Sequence, residues 1–330
     1  MKLELFGTLG PACHDTPTLQ AMIETGRTGI RLNLSHGSLK ERADWIDSLH
    51  QAQTAAGRPV DLLIDLKGRE LRTGDMPAMT LETGSTVVLG TAIPLDPRIT
   101  RRIKPGMRIL LDDGAIILQA RTLLPGSGWT CEVLQGGLLE SRKSLSLENL
   151  DQQDSPLCPE DMDNLDAAAA CGVTALMVPF VQSGQDLRAV RQELEKRKLN
   201  LKLYAKIENE QGCRNLEEIM PLADVIVIAR GDLGQNLGLI RLPAAQLDLE
   251  TRCRKAGKPY MVVTQLLASM TESPVCTRAE ANDVFRAALE GAWSLMLTNE
   301  TAAGRWPVKA METLCALARQ AEEYRQHHRL

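Results

Sequence analysis

The chain has 330 residues, 44% of them hydrophobic, and a formal net charge of -4. That length can bury roughly three quarters of the unfolded surface, enough for one large domain plus a smaller one. The small negative charge gives no bulk reason to bind nucleic acid or an anionic membrane, which leaves a small molecule as the expected partner.

The first apolar run, 3–8, reads as a strand, and 16–25 then carries apolar residues at the three- and four-residue steps of a helix. Strand-like runs recur at 29–34, 61–66, 174–180, 202–207, 225–229, 260–264 and 294–298. Helical patterns fall at 39–55, 159–171, 185–198, 215–220, 244–256, 277–290 and 308–326. Continuous apolar runs of this length suit strands buried on both faces, as in a parallel sheet. Eight strand–helix units predict an α/β fold, a closed (β/α)8 TIM barrel rather than an open doubly wound sheet. One interval breaks the rhythm. Between 74 and 144, runs such as Thr86-Val87-Val88-Leu89, Arg108-Ile109-Leu110-Leu111 and Trp129-Thr130-Cys131-Glu132-Val133 are separated by turn residues. They predict a small β domain inserted after the third barrel strand, with 1–73 and 145–330 forming the barrel. Removing the insert leaves about 260 residues, close to the ~250 of a typical barrel.

The eight cysteines form no CxxC pair, so no zinc or redox motif is visible and they read as reduced thiols in a cytoplasm. The start, 1–6, lacks a signal-peptide core, and 167–181 is interrupted by Gly172, Thr174 and Pro179, so no export or membrane segment is expected.

In such a barrel the active site is built at the carboxyl ends of the strands. Those ends supply Arg31, Asn33 and Ser35; Asp65 and Lys67; Lys206 and Glu208; Arg230 and Asp232; Thr264 and Gln265; Thr298 and Glu300. Residues two apart on a strand face the same side, so Lys206 can share a face with Glu208, and Arg31 with Asn33. One polar end alone is as readily an ion pair that closes the barrel; six together point to a pocket. Glu208 and Asp232 are hard oxygen ligands suited to Mg²⁺ or Mn²⁺, which takes one or two carboxylates and adds substrate and water. Lys206 beside that metal could neutralise charge on a transferring phosphoryl group. Asn33, Ser35 and Asp65 suit a monovalent cation or a polar turn, and spacing favours the turn. By the same standard His36 reads as a loop histidine and Thr264 as a buried strand hydroxyl. No GxGxxG string precedes a helix and no Walker A string occurs.

Longer strings say more. Thr8-Leu9-Gly10-Pro11-Ala12, Arg31-Leu32-Asn33-Leu34-Ser35-His36-Gly37, Ala205-Lys206-Ile207-Glu208-Asn209, Ala229-Arg230-Gly231-Asp232-Leu233-Gly234 and Thr277-Arg278-Ala279-Glu280 stand in the order found in pyruvate kinases. With 65–74 and Glu300-Thr301-Ala302 added, the chain resembles that family over nearly its whole length. The resemblance implies transfer of the phosphoryl group of phosphoenolpyruvate to ADP, giving pyruvate and ATP, with Mg (or Mn) and K as cofactors. By position, Glu208 and Asp232 would hold Mg²⁺, and Lys206 would stabilise the transferring phosphoryl group and the enolate. Arg31 would hold the substrate phosphate. Gly231, Asp232 and Thr264 would receive its carboxylate, and Thr264 lies where the family protonates the enolate. A K⁺ site would use Asn33, Ser35, Asp65 and the carbonyl of Leu66, and Glu70 matches the potassium-dependent members. His36, Arg72 and Lys143 match nucleotide contacts, and Asp113 would come with the insert, a β-barrel lid in the family. The family pairs barrels near 277–283, which implies a homodimer through the barrel domain.

Three departures bear on function. The chain ends at Leu330, where the family continues into a C-terminal allosteric domain, so control through such a domain is not expected. The string Val178-Pro179-Phe180-Val181-Gln182 lacks the family's arginine, and Thr298-Asn299-Glu300 replaces Ser-Gly-Glu. The insert is also shorter than usual. Two alternatives to a compact kinase follow: an enzyme that gives the enolate another acceptor or forms it by decarboxylation, and a phosphoenolpyruvate-binding homologue without turnover.

Overall fold

The computed structural model describes residues 3–26, 28–112, 114–126, 128–147 and 155–328. The chain divides into two compact units, Met1–Gly68 with Ser155–Leu330, and Arg69–Asp154. In the larger unit eight parallel strands close into a barrel: β1 (Glu4–Leu9), β2 (Gly29–Asn33), β3 (Asp61–Asp65), β4 (Ala175–Val178), β5 (Lys202–Ile207), β6 (Val225–Ala229), β7 (Tyr260–Val263) and β8 (Ser294–Met296). Each strand pairs with its neighbours in sequence, and β1 with β8 completes the ring. The main helices are α1 (Thr16–Glu24), α2 (Ala43–Ala56), α3 (Pro159–Ala168), α4 (Gly184–Lys196), α5 (Arg230–Leu237), α6 (Leu242–Lys255), α7 (Arg278–Leu289) and α8 (Pro307–His328).

Two-residue periodicity sorts each strand into an inner and an outer face. Phe6, Leu63, Met177, Tyr204, Val227, Met261 and Met296 fill the barrel's interior. Leu32, Ile64, Leu176, Leu203, Ile226 and Val262 pack instead with helix residues such as Leu19, Leu49 and Leu187. Burial on both faces explains the unbroken apolar runs.

Two local departures from the periodicity have physical causes. β4 stops at Val178, short of 180: Pro179 has no N–H for a ladder, and Phe180 takes a left-handed backbone, φ 51°. Helix α5 has no counterpart in the apolar pattern, because Gly231 and Gly234 weaken the helical signal of its eight residues.

In the smaller unit six antiparallel strands pair in the order Leu71–Arg72, Ser144–Leu147, Arg108–Leu111, Ile116–Leu123, Trp129–Gln135 and Thr86–Leu89. Gly137–Leu139 and Met79–Leu81 form a separate ribbon. Among the described residues the two end strands of the six do not pair with each other, so the sheet is an open ladder. It has its own core of Val87, Leu89, Ile109, Leu118 and Val133. Leu71–Arg72 and Ser144–Leu147 pair within this unit, so it is wider than 74–144. No described helix is long and apolar enough to cross a membrane, and none of the eight cysteines is in a disulfide.

Candidate active site

The inward face changes character near the carboxyl ends of the strands. Arg31 follows Gly29 on β2, Asp65 follows Leu63 on β3, and Lys206 follows Tyr204 on β5, each by one two-residue step. Arg31 donates from Nε and Nη2 to Asp65 Oδ2 at 2.9 and 2.6 Å, and its Nη1 lies 3.3 Å from Thr8 Oγ1 on β1. Lys206 Nζ lies 3.4 Å from the same Asp65 oxygen and 2.9 Å from Glu208 Oε1. Glu208 Oε2 accepts the Phe180 N–H at 2.7 Å and so ties the turn after β4 to the end of β5. Arg31, Asp65, Lys206 and Glu208 thus form one chain of alternating charge from three strands.

The chain is buried: the side chains of Lys206, Asp65 and Glu208 are 14%, 2% and 0% exposed. Charges removed from water this far must compensate one another. Burial by itself favours a neutral Lys206, but Asp65, Glu208 and Asp232 outweigh it and hold the ammonium well above the ordinary lysine range. Burial also pushes the Glu208 carboxyl up, to about 8; Lys206 pulls it down and Asp232 adds to the rise. One lysine therefore does not offset the burial of this carboxylate. Asp232 stands in the first turn of α5, where the helix N-terminus favours negative charge.

Two buried carboxylate oxygens, Asp65 Oδ1 and Glu208 Oε1, accept no directed hydrogen bond. The 2.9 Å approach of Lys206 to Glu208 Oε1 is an ion pair without hydrogen-bond geometry. Such oxygens suit hard cations. Among the described residues no group of three or more His, Cys, Asp or Glu converges on one metal position. Carboxylate oxygens of this kind are compatible with Mg²⁺ or Mn²⁺, which takes one or two protein carboxylates and completes its shell from substrate and water.

Asn33 Oδ1 accepts the Ser35 N–H at 3.1 Å and caps the one-turn helix Leu34–His36, so the polar-turn reading of these residues describes the local structure. Asp65 joins the charge chain, and Leu66 is buried with its N–H donated to the Met177 carbonyl. His36 is exposed, and its carbonyl accepts from Arg42 Nη2 at 2.6 Å. Thr264, half-buried just past β7, has φ 78°, and Gln265 after it has φ 55°. A Cβ on Gly231 would sit 3.1 Å from Thr264 Cγ2, so only glycine lets α5 approach this closely.

In the inserted unit, Arg72 reaches Glu70 Oε1 at 2.6 Å and the Arg142 carbonyl at 2.8 Å. Lys143 lies 3.1 Å from Asp112 and from Glu140, and those bonds raise its ammonium pKa. Asp113 lies outside the described residues. Gln182 is buried, its N–H bonded to Asp186 and its carbonyl to Asn215, whereas Asn299 is exposed.

Two further carboxylates hold the site's loops: Asp161, which motif spacing does not single out, and Glu300, which the end of the eighth strand run supplies. Asp161, fully buried, accepts the N–H groups of Lys67 and Gly68 at 2.9 Å each, and so fixes the chain just after Asp65 and Leu66. Its local signal is its place as the third residue of α3, where it also caps Cys158. Glu300, 1% exposed, binds the Thr298 and Leu267 N–H groups and ties the end of β8 to the loop after β7. Gly68 itself is left-handed, φ 56°, and a Cβ there would lie 2.6 Å from Pro179 Cγ.

A family model described as "Pyruvate kinase, barrel domain" matches residues 1–311. The pyruvate kinase of Thermococcus litoralis is 35% identical over 98% of this chain and 70% of its own length. That of Aeropyrum pernix is 35% identical over 97% of this chain and 70% of its own length. The pyruvate kinase of Staphylococcus saprophyticus is 34% identical over all of this chain, which spans only 58% of that relative. With the barrel, the charge chain at its mouth and these matches agreeing, the chain belongs to the pyruvate kinase family.

Proposed function

We propose that the protein transfers the phosphoryl group of phosphoenolpyruvate to ADP, forming pyruvate and ATP. The observation that carries this reading is the buried alternation Arg31, Asp65, Lys206, Glu208 at the barrel mouth. It sets two fixed cations beside oxygens fit for a hard metal. Phosphoryl transfer asks little covalent chemistry of a protein; it asks for positioning and for positive charge where negative charge moves. Arg31 would hold the phosphate, and Lys206 would face the charge that migrates as the P–O bond to the enolate oxygen breaks and one to the ADP oxygen forms. Glu208 and Asp232 would hold Mg²⁺ or Mn²⁺, which supplies Lewis-acid charge. Gly231, Asp232 and Thr264 would receive the substrate carboxylate, and Thr264 would help deliver the proton that converts the enolate to pyruvate. Support for K⁺ at Asn33, Ser35, Asp65 and the Leu66 carbonyl comes from the unpaired Asp65 Oδ1 and from the family match at Glu70. The family match supports His36, Arg72, Lys143 and Asp113 as nucleotide contacts, a homodimer through the barrel near 277–283, and a cytoplasmic setting.

The test is coupled pyruvate formation from phosphoenolpyruvate and a panel of nucleoside diphosphates, with Mg²⁺, in K⁺ or in an inert large cation. Wild type should exceed Lys206→Met by roughly a thousandfold, the scale of removing one preorganised electrostatic group. Equal rates for the two proteins in every condition would rule the kinase reading out, and turnover indifferent to K⁺ would remove the monovalent site.

A further inference from the structure

The geometry points to Arg230 as the residue that positions Thr264 for the proton-transfer half of the reaction, an inference that rests on the proposed function. Thr264 is β-branched yet left-handed, φ 78°, and Gln265 after it is left-handed too. β-Branched residues rarely hold positive φ, and such a backbone persists only where its surroundings fix it. Arg230 supplies that constraint. Its Nε and Nη2 donate to the Thr264 carbonyl at 3.1 and 2.7 Å, while its Nη1 binds Asp283 Oδ2 on α7 at 2.6 Å. The guanidinium is 11% exposed, so these bonds act with little competition from water.

A second contact acts on the side chain. Gly231, the next residue, is packed so closely that a Cβ would meet Thr264 Cγ2 at 3.1 Å. The first turn of α5 thus holds Thr264 by its carbonyl and passes close beside its methyl, and neither feature engages the hydroxyl. Asp232, one residue on, is a proposed metal ligand. One helical turn therefore sets both the metal carboxylate and the hydroxyl that serves the enolate. The fork of Arg230 is essential because three donors point in two directions; lysine cannot span the carbonyl and Asp283 together.

Arg230 touches no reacting atom and is a positioning residue. Its loss should lower kcat by more than it raises the phosphoenolpyruvate KM, because proton delivery depends on the Thr264 hydroxyl whereas the substrate carboxylate keeps its contacts at Gly231 and Asp232. In coupled pyruvate formation, kcat should fall about tenfold for Arg230→Lys and about a hundredfold for Arg230→Met. The Asp283→Asn variant, which keeps the carbonyl bonds, should lose less. A purely structural role is separated by a double-mutant cycle with Thr264→Val: without the hydroxyl there is nothing to position, so Arg230→Lys should cost almost no further rate. An unchanged kcat in Arg230→Lys and Arg230→Met, a loss confined to KM, or the same fold-loss in the Thr264→Val background would overturn the inference. A wild-type protein without turnover would instead sink the proposed function.

Discussion

Within one barrel, the same strands build two different interiors. Along β3 the inward residue changes from Leu63 to Asp65, and along β5 from Tyr204 to Lys206, over a two-residue step of about 7 Å. Below that step Phe6, Met177, Val227, Met261 and Met296 pack without charge. Above it four ionisable groups are buried in a row, and their mutual attraction works against their lost hydration. The lower interior is sensitive to volume and the upper to charge. Both contribute stability, but the chemistry lies in the second alone, although both belong to one fold.

Neighbouring substitutions on β3 can break that contrast. Asp65→Asn leaves Arg31 and Lys206 buried beside a neutral amide, and should cost about 3–5 kcal/mol of stability, as for a broken buried pair, together with most of the turnover. Leu63→Ala, two residues earlier, should cost about 2–5 kcal/mol through its cavity while kcat per folded molecule stays near wild type. Urea unfolding beside the coupled assay checks both; equal losses of kcat in the two variants would erase the distinction. A smaller effect sharpens it at the next shell outward. Glu280 accepts the Ser269 N–H at 2.7 Å and the Thr277 N–H at 2.8 Å, tying the loop after β7 to α7. Burial alone would raise its carboxyl, but the bonds from Ser269 and Thr277 outweigh it and hold it below the ordinary glutamate value. The folded pKa is depressed, so this stabilisation is complete above the unfolded value of about 4.3 and fades as pH falls through the folded one. Glu280→Gln should therefore cost about 1 kcal/mol at neutral pH and progressively less below pH ~4, read from urea midpoints across that range.

Much of this was legible in the residues. Every apolar run marked a barrel strand to within a residue or two because both faces are buried, and the site residues fall at the ends of those runs. The rest is made of pairings that periodicity does not carry. Asp161 serves Lys67 and Gly68 from across the insert, and Arg230 serves a carbonyl, which leaves no trace in side-chain spacing. Phe180 was hidden for a related reason: its contribution is an N–H freed from the ladder by Pro179. Helix α5 went unmarked because Gly231 serves close approach to Thr264, and Gly234 close approach to Leu242, and not helix propensity.

Gly68 gives the point of insertion a constraint of its own. It is the last residue of the barrel unit before Arg69 opens the inserted one. It is left-handed, clamped by Asp161, and presses on Pro179, whose neighbour Phe180 donates to Glu208. A single added methyl at position 68 would thus reach a proposed metal carboxylate through one proline ring. Any engineered exchange of the insert inherits that limit: the glycine must stay with the barrel.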